Sequence, residues 1–199
     1  AIWRINSTSG ASPLWFGRYT GVTIGSGSLP PKKEVASEAA HEVRQLQEEY
    51  RRLQDAGQPE DVLSQFTDPT SGEMVSRCDM IAAPPDILVT NYSMVNVMLM
   101  RDVEDSMFDA TRKWLDSDTS HVFTLVVDEL HLYRGTQGSE VALILRNLLN
   151  RLNLDPGSPQ LRVIATSASL TDAPEGRDYL EEFFAVDRSS FTLLPGTPE

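Results

Sequence analysis

Leu125-Val126-Val127-Asp128-Glu129-Leu130-His131 decides the reading of this chain. An apolar run, which Val122-Phe123-Thr124 extends upstream, ends abruptly in two adjacent carboxylates, and a histidine follows two residues on. Ile87-Leu88-Val89-Thr90, bounded by Pro85-Asp86 and Asn91, and Arg162-Val163-Ile164-Ala165-Thr166, ending at Ser167, have the same form. Such β-rich apolar runs read as buried parallel strands. Roughly 35 residues separate successive runs, room for a crossover helix. Helical patterns fill those gaps at 92–101, 106–115 and 139–152, the last presenting Val141, Ile144, Leu145, Leu148, Leu149 and Leu152 on one broad face. Alternation of strand and helix predicts an α/β fold with a parallel sheet. Ligands of such sheets gather beyond the carboxyl ends of the strands. There the three runs finish in Thr90-Asn91, Asp128-Glu129 and Thr166-Ser167, expected to meet on a common rim of three neighbouring strands.

Two acids at a strand end suit hydrolysis of a nucleoside triphosphate. One carboxylate holds the magnesium that bridges the β- and γ-phosphates, usually through its water shell. The other orients and deprotonates the attacking water. Adjacent residues leaving a strand point to different sides, so Asp128 and Glu129 can divide these tasks. Ala165-Thr166-Ser167-Ala168-Ser169-Leu170 leaves the next strand, and its small hydroxyl residues can hydrogen-bond to the turn at 128–131. The plainer alternative is a solvated strand-end turn in which His131 only caps or packs.

Upstream of these runs the sequence changes character. Residues 1–28 read as irregular, with strand-like pieces in Ala1-Ile2-Trp3-Arg4-Ile5 and Gly21-Val22-Thr23-Ile24 and a flexible Gly25-Ser26-Gly27-Ser28. A long amphipathic helix follows over 32–56. Pro31 suits its first turn and Gly57 its stop, Val35, Ala39, Val43, Leu46, Tyr50 and Leu53 form its stripe, and Glu48 and Arg52 stand at pairing distance. This stripe reads first as a surface helix packed on the domain body and second as a site for a protein partner. Residues 57–83 read as a loop-rich insertion with a short helix near 61–66, and Pro195-Gly196-Thr197-Pro198-Glu199 reads as a linker.

Composition narrows the class. The 199 residues suffice for one domain with a core, and no apolar run approaches the length of a membrane span. A single cysteine, Cys78, excludes an internal disulfide framework and suits a reduced, cytoplasmic setting. His41, His121 and His131 are too far apart in sequence to suggest a zinc site. A formal net charge of −12 argues against strong DNA binding by this chain alone. It implies either that a basic groove is supplied by other segments or that the acidic surface faces a protein.

Taken together, these motifs resemble superfamily 2 helicases of the DEAH/DEAD type. Val127-Asp128-Glu129-Leu130-His131 resembles motif II in its Asp-Glu-x-His form, Ser167-Ala168-Ser169 resembles motif III, and Pro85-Asp86-Ile87-Leu88-Val89-Thr90-Asn91-Tyr92 resembles motif Ib. Leu132-Tyr133-Arg134-Gly135-Thr136-Gln137-Gly138-Ser139-Glu140-Val141-Ala142 is similar to the segment after motif II in the large bacterial DNA helicases of the Lhr-like and mitomycin-repair-factor type, whose relatives occur in phage-defence systems. Trp15-Phe16-Gly17-Arg18-Tyr19-Thr20-Gly21 is similar to a segment those proteins place between motifs Ia and Ib.

The resemblance implies a RecA-like parallel sheet flanked by helices, the first motor domain of such an enzyme, with a long helical insertion. It implies ATP and Mg2+ as cofactors, Asp128 engaging the magnesium, Glu129 as general base, and His131 coupling the nucleotide site to Ser167, Ala168 and Ser169 and to a second RecA-like domain. Thr90, Asn91, Arg18 and Gly21 become candidates for contact with a nucleic-acid backbone, DNA in preference to RNA. Each has an ordinary structural alternative: Gly21 a chain turn, Thr90 and Asn91 a helix cap. By the same resemblance, 1–30 and 85–199 belong to the motor core and 31–84 to the insertion.

One expected part is missing. The sequence has no Gly-x-x-x-x-Gly-Lys-Ser/Thr loop, and Gly25-Ser26-Gly27-Ser28 is followed by Pro30-Pro31 rather than by the lysine and hydroxyl that cradle phosphates. The reading is therefore a fragment of an ATP-driven helicase, inactive by itself, whose phosphate-binding loop is expected upstream. Two alternatives remain open: a degenerate motor domain serving as a binding or regulatory module, and an unrelated metal-dependent phosphohydrolase with a strand-end acid pair.

Overall fold

The structure, a computed structural model, describes residues 14–25, 33–68 and 72–196. The strand-like piece at 1–5, the glycine-serine stretch beyond Gly25, the helix entry at Pro31 and the last three residues of the linker lie outside the described residues. The fold is α/β, with short parallel sheets flanked by helices. It divides into two compact units, Ala1–Ala110 and Thr111–Glu199.

The first unit is built on β1 (Phe16–Tyr19), β2 (Glu73–Met74) and β3 (Ile87–Thr90), ordered β2-β1-β3. Both pairings are parallel, with Phe16 opposite Glu73 on one side and Phe16 to Tyr19 opposite Ile87 to Thr90 on the other. A lone bridge, Ile24 to Ser76, continues the association past β1. The 57–83 stretch, read as loop-rich with one short helix, contributes β2 to the sheet and also α3 (Arg77–Ala82), which Ser76 caps by accepting from the Cys78 amide. Tyr19, Met80, Ile81 and Met98 are almost wholly buried, and a Cβ at Gly17 would collide with the Met80 thioether, so β1 and α3 approach closely there.

Helix α1 (Lys33–Asp55) follows the expected stripe. It stops where glycine allows the left-handed turn: Gly57 has φ 67°, its amide reaches Gln54 O at 2.9 Å, and the Gln58 amide reaches Leu53 O at 3.2 Å. Glu48 and Arg52 pair across one turn at 3.9 Å. The stripe residues are half-buried and none is fully so. The short α2 (Glu60–Leu63) overlaps the helical stretch expected near 61–66, beginning one residue earlier and ending three residues sooner. Helices α4 (Tyr92–Met100) and α5 (Asp105–Ser117) follow β3, with α5 running past the unit boundary.

In the second unit β4 (Phe123–Val127) and β5 (Leu161–Ala165) pair in parallel, Phe123 opposite Leu161 through Val127 opposite Ala165. Their crossover is α6 (Gly135–Arg151), and α7 (Pro174–Phe184) follows β5. Val141, Ile144, Leu148, Leu149 and Leu152 are buried as the periodicity requires, with Leu130, Leu154, Leu180, Phe183 and Phe184 completing the core. The helix begins at Gly135, four residues before the start expected at Ser139, because Gly135-Thr136-Gln137-Gly138 carries no hydrophobic signal of its own. It ends on Asn153 at φ 58°, with the Leu154 amide returning to Leu149 O at 2.9 Å.

Two expectations are corrected. The three strands do not share one ladder: β3 hydrogen-bonds to β1, and β4 bonds only to β5 among the described residues. The partner of β3 is the 16–19 segment, which sequence periodicity over four residues could not reveal. Nor are the strands buried on both faces. Ile87, Val89, Val126 and Ile164 are 41%, 52%, 61% and 47% exposed. Strand alternation sends them to the second face, and in sheets of two and three short strands that face stays open.

Candidate functional site

The parallel register of β4 and β5 puts the residues after Val127 and Ala165 side by side. The Thr166 amide donates to Val127 O at 3.0 Å and the Leu130 amide donates to Thr166 O at 2.8 Å, so the two chains stay joined one turn beyond the ladder. Thr166 is the hub: its hydroxyl donates to Asp128 Oδ1 and accepts from the Glu129 amide at 3.0 Å.

Glu129 adopts φ 52°, ψ 45°, a left-handed conformation that costs an L-residue about 1–2 kcal/mol. This backbone reversal turns the chain from β4 into the 3-10 turn Leu130–Leu132, burying Leu130 completely while leaving the Glu129 side chain 54% exposed. Asp128 is exposed as well. Both acids therefore face outward at a strand end, where a substrate can reach them.

His131 stands between the two segments. Its Nδ1 lies 3.1 Å from Glu129 Oε2 and 3.3 Å from the Ala168 amide nitrogen. These contacts exclude each other: a protonated Nδ1 donates to the carboxylate, whereas a bare Nδ1 accepts from the amide. The Ser169 amide meets Ser167 Oγ at 3.4 Å, closing a local turn. The structure thus brings together Asp128, Glu129, His131, Ser167, Ala168 and Ser169. It adds Thr166, which the sequence showed as a strand-end residue but whose hub position depends on strand register.

The remaining four candidates belong to the first unit. Thr90 Oγ1 donates to Tyr19 O at 2.7 Å, and Asn91 caps α4 by accepting from the Met94 amide at 2.8 Å. The Arg18 guanidinium bonds Glu73 Oε1 at 2.9 Å and Thr67 Oγ1 at 2.7 Å. Gly21 is exposed, and a Cβ there would meet nothing within 4 Å. Neither space nor a left-handed backbone demands glycine at that position.

Beneath β1, Tyr19 donates to Glu104 Oε1 at 2.6 Å, Arg101 pairs with the same carboxylate, and the Arg77 guanidinium stacks 5.4 Å from the Tyr19 ring centre. Glu104 is fully buried. Burial, then the bond to Glu104, raises the Tyr19 hydroxyl well above the ordinary tyrosine value. None of this network was visible from sequence spacing, since 85 residues separate Tyr19 from Glu104.

No helix among the described residues is long and apolar enough to cross a membrane. No family model and no solved structure matches the chain. Over 137 residues, 67% of its length, the chain is 38% identical to Druantia protein DruE of Escherichia coli (strain UMEA 4076-1). Over 78 residues, 39% of its length, it is 32% identical to ATP-dependent helicase HRQ1 of Saccharomyces cerevisiae. It spans only 7% of the length of each of these relatives. Sequence similarity therefore relates this chain to small parts of two much longer proteins, one of them named as an ATP-dependent helicase, and supports a helicase-family relationship.

Proposed function

We propose that this chain is part of the first motor domain of an ATP-dependent nucleic-acid helicase or translocase, acting on DNA in preference to RNA. The observation that carries the reading is the network at the ends of β4 and β5. There, two outward-facing carboxylates, a histidine and the Ser167-Ala168-Ser169 segment are joined through Thr166 and through His131, whose Nδ1 stands within reach of either Glu129 or the Ala168 amide. A simple strand-end turn needs none of these cross-links, and the energetic cost of the Glu129 backbone is the kind that persists where function requires it. Similarity to a protein named as an ATP-dependent helicase points the same way.

In this reading Asp128 is the residue that would hold Mg2+. The described residues contain no group of three or more potential metal-ligating side chains. A single exposed carboxylate fits magnesium, which keeps most of its water and takes its remaining ligands from phosphate. The ion would supply charge neutralisation on the β- and γ-phosphates. Glu129 accepts the proton of the attacking water. His131, placed between Glu129 and the Ala168 amide, links the site to Ser167, Ala168 and Ser169 and through them to a second RecA-like domain. Thr90, Asn91, Arg18 and Gly21 would lie along the nucleic-acid backbone; of these Arg18, Gly21 and Asn91 are exposed. Segment 31–84 would be an insertion stitched to the motor core by β2, its long helix available to a protein partner.

The test is Glu129→Gln in the natural full-length polypeptide. Nucleic-acid-stimulated ATP turnover should fall by about 10²–10⁴-fold, the usual contribution of a general base, while nucleotide binding persists. Turnover equal to wild type would remove Glu129 from the chemistry. The coding sequence upstream of Ala1 should carry a Gly-Lys-Ser/Thr loop, and a sequence without one would favour the regulatory-module reading.

A further inference from the structure

The acidic turn is gripped from a side that neither strand supplies. Tyr179, on α7, directs its hydroxyl at two main-chain carbonyls, Tyr133 O at 2.6 Å and Leu130 O at 3.2 Å. These carbonyls bracket the 3-10 turn that carries His131. Leu130 is thus held at both ends of its backbone, its amide by Thr166 O and its carbonyl by Tyr179 and by the Tyr133 amide at 3.0 Å. Leu130 directly follows Glu129: Thr166 O holds the peptide between them, and Tyr179 holds the next peptide, between Leu130 and His131.

The grip is rigid. The Tyr179 ring packs 5.8 Å from Phe183 and has the Arg134 guanidinium 5.6 Å over its face, while Leu180, Phe183 and Phe184 anchor the helix in the core. Burial raises the Tyr179 hydroxyl above its ordinary value, keeping it a donor near neutral pH. The first turn of α7 also abuts the other strand-end segment: a Cβ at Gly176 would run into the Thr171 carbonyl, two residues beyond Ser169. One helix therefore touches both the turn after β4 and the segment after β5.

We propose that Tyr179 is a positioning residue for Glu129 and His131, through which α7 keeps the acidic turn in register with the Ser167–Ser169 segment. The proposal rests on the motor reading above. Its test is Tyr179→Phe in the full-length polypeptide, which keeps the ring and removes one hydroxyl. Nucleic-acid-stimulated kcat should drop about tenfold, the value of one hydrogen bond, with KM for ATP within about twofold of wild type. Amide hydrogen exchange over 129–133 should accelerate by a similar factor, while the buried turns of α6 exchange as before. Phe183→Leu, which loosens the same packing but keeps the hydroxyl, should spare both readouts. Unchanged exchange in Tyr179→Phe, or equal losses in Phe183→Leu, would overturn the positioning role. A wild type that turns over no ATP would instead sink the motor reading, leaving the exchange result to decide whether Tyr179 holds the turn.

Discussion

Thr166 shows how much chemistry can depend on a residue with no distinctive pattern around it. Its hydroxyl donates a hydrogen bond to the Asp128 carboxylate and accepts one from the Glu129 amide, so one group holds the Asp128 side chain and the Glu129 backbone. Tyr19 is a second such residue, buried against Glu104 beside Arg101 and Arg77. Burial and the Glu104 bond raise its folded-state value above the ordinary 10.0. Because the folded state favours the neutral phenol, this contribution to stability is complete below pH 10 and is lost as pH climbs beyond it. Urea titrations between pH 8 and pH 11 should show stability falling above about pH 10, and Tyr19→Phe should flatten that part of the profile. An identical alkaline slope in the variant would assign the effect to other groups.

At the scale of elements, the long helices were legible, while α3 (Arg77–Ala82) and α7 (Pro174–Phe184) had no place in the sequence reading. The stripe and stop of α1 follow from apolar spacing and from Gly57, and the Glu48–Arg52 pair from i,i+4 geometry. The start of α6 was hidden because its first turn carries no apolar residue and is shaped by a close local approach: Gly138 lies against the Tyr133 carbonyl, where a Cβ has no room. Gly138→Ala therefore should destabilise the protein by roughly 1–3 kcal/mol despite the better helix propensity of alanine. Chemical denaturation measures this directly, and a more stable variant would mean that the 133–138 junction yields to the added methyl. Strand placement was the harder problem. Four or five apolar residues identify a strand but carry no information about its neighbour, so β3 was assigned to the wrong ladder.

For the molecule as a whole, the decisive feature is what surrounds the acid pair. Asp128 and Glu129 stand exposed at the end of β4, yet the sequence offers no Gly-Lys-Ser/Thr loop of the kind that binds nucleotide phosphates. The 199-residue chain alone should release no phosphate from ATP above background in a malachite-green assay. Turnover by this chain that vanished in Glu129→Gln would show that a complete site exists within it. A net charge of −12 agrees with a chain that needs other basic segments to hold nucleic acid.

The order of residues alone determined the α/β class, the long helix and the strand-end position of the acids, because each is written in local periodicity or in an abrupt change from apolar to charged. Pairing between distant segments was decided by the fold. Only the register of β4 on β5 sets Thr166 beside Asp128, and only the packing of α7 brings the Tyr179 hydroxyl to Leu130 and Tyr133. Hydrogen bonds across 38 and 49 residues leave no trace in local spacing, since either partner satisfies its own segment equally well until the two are folded together.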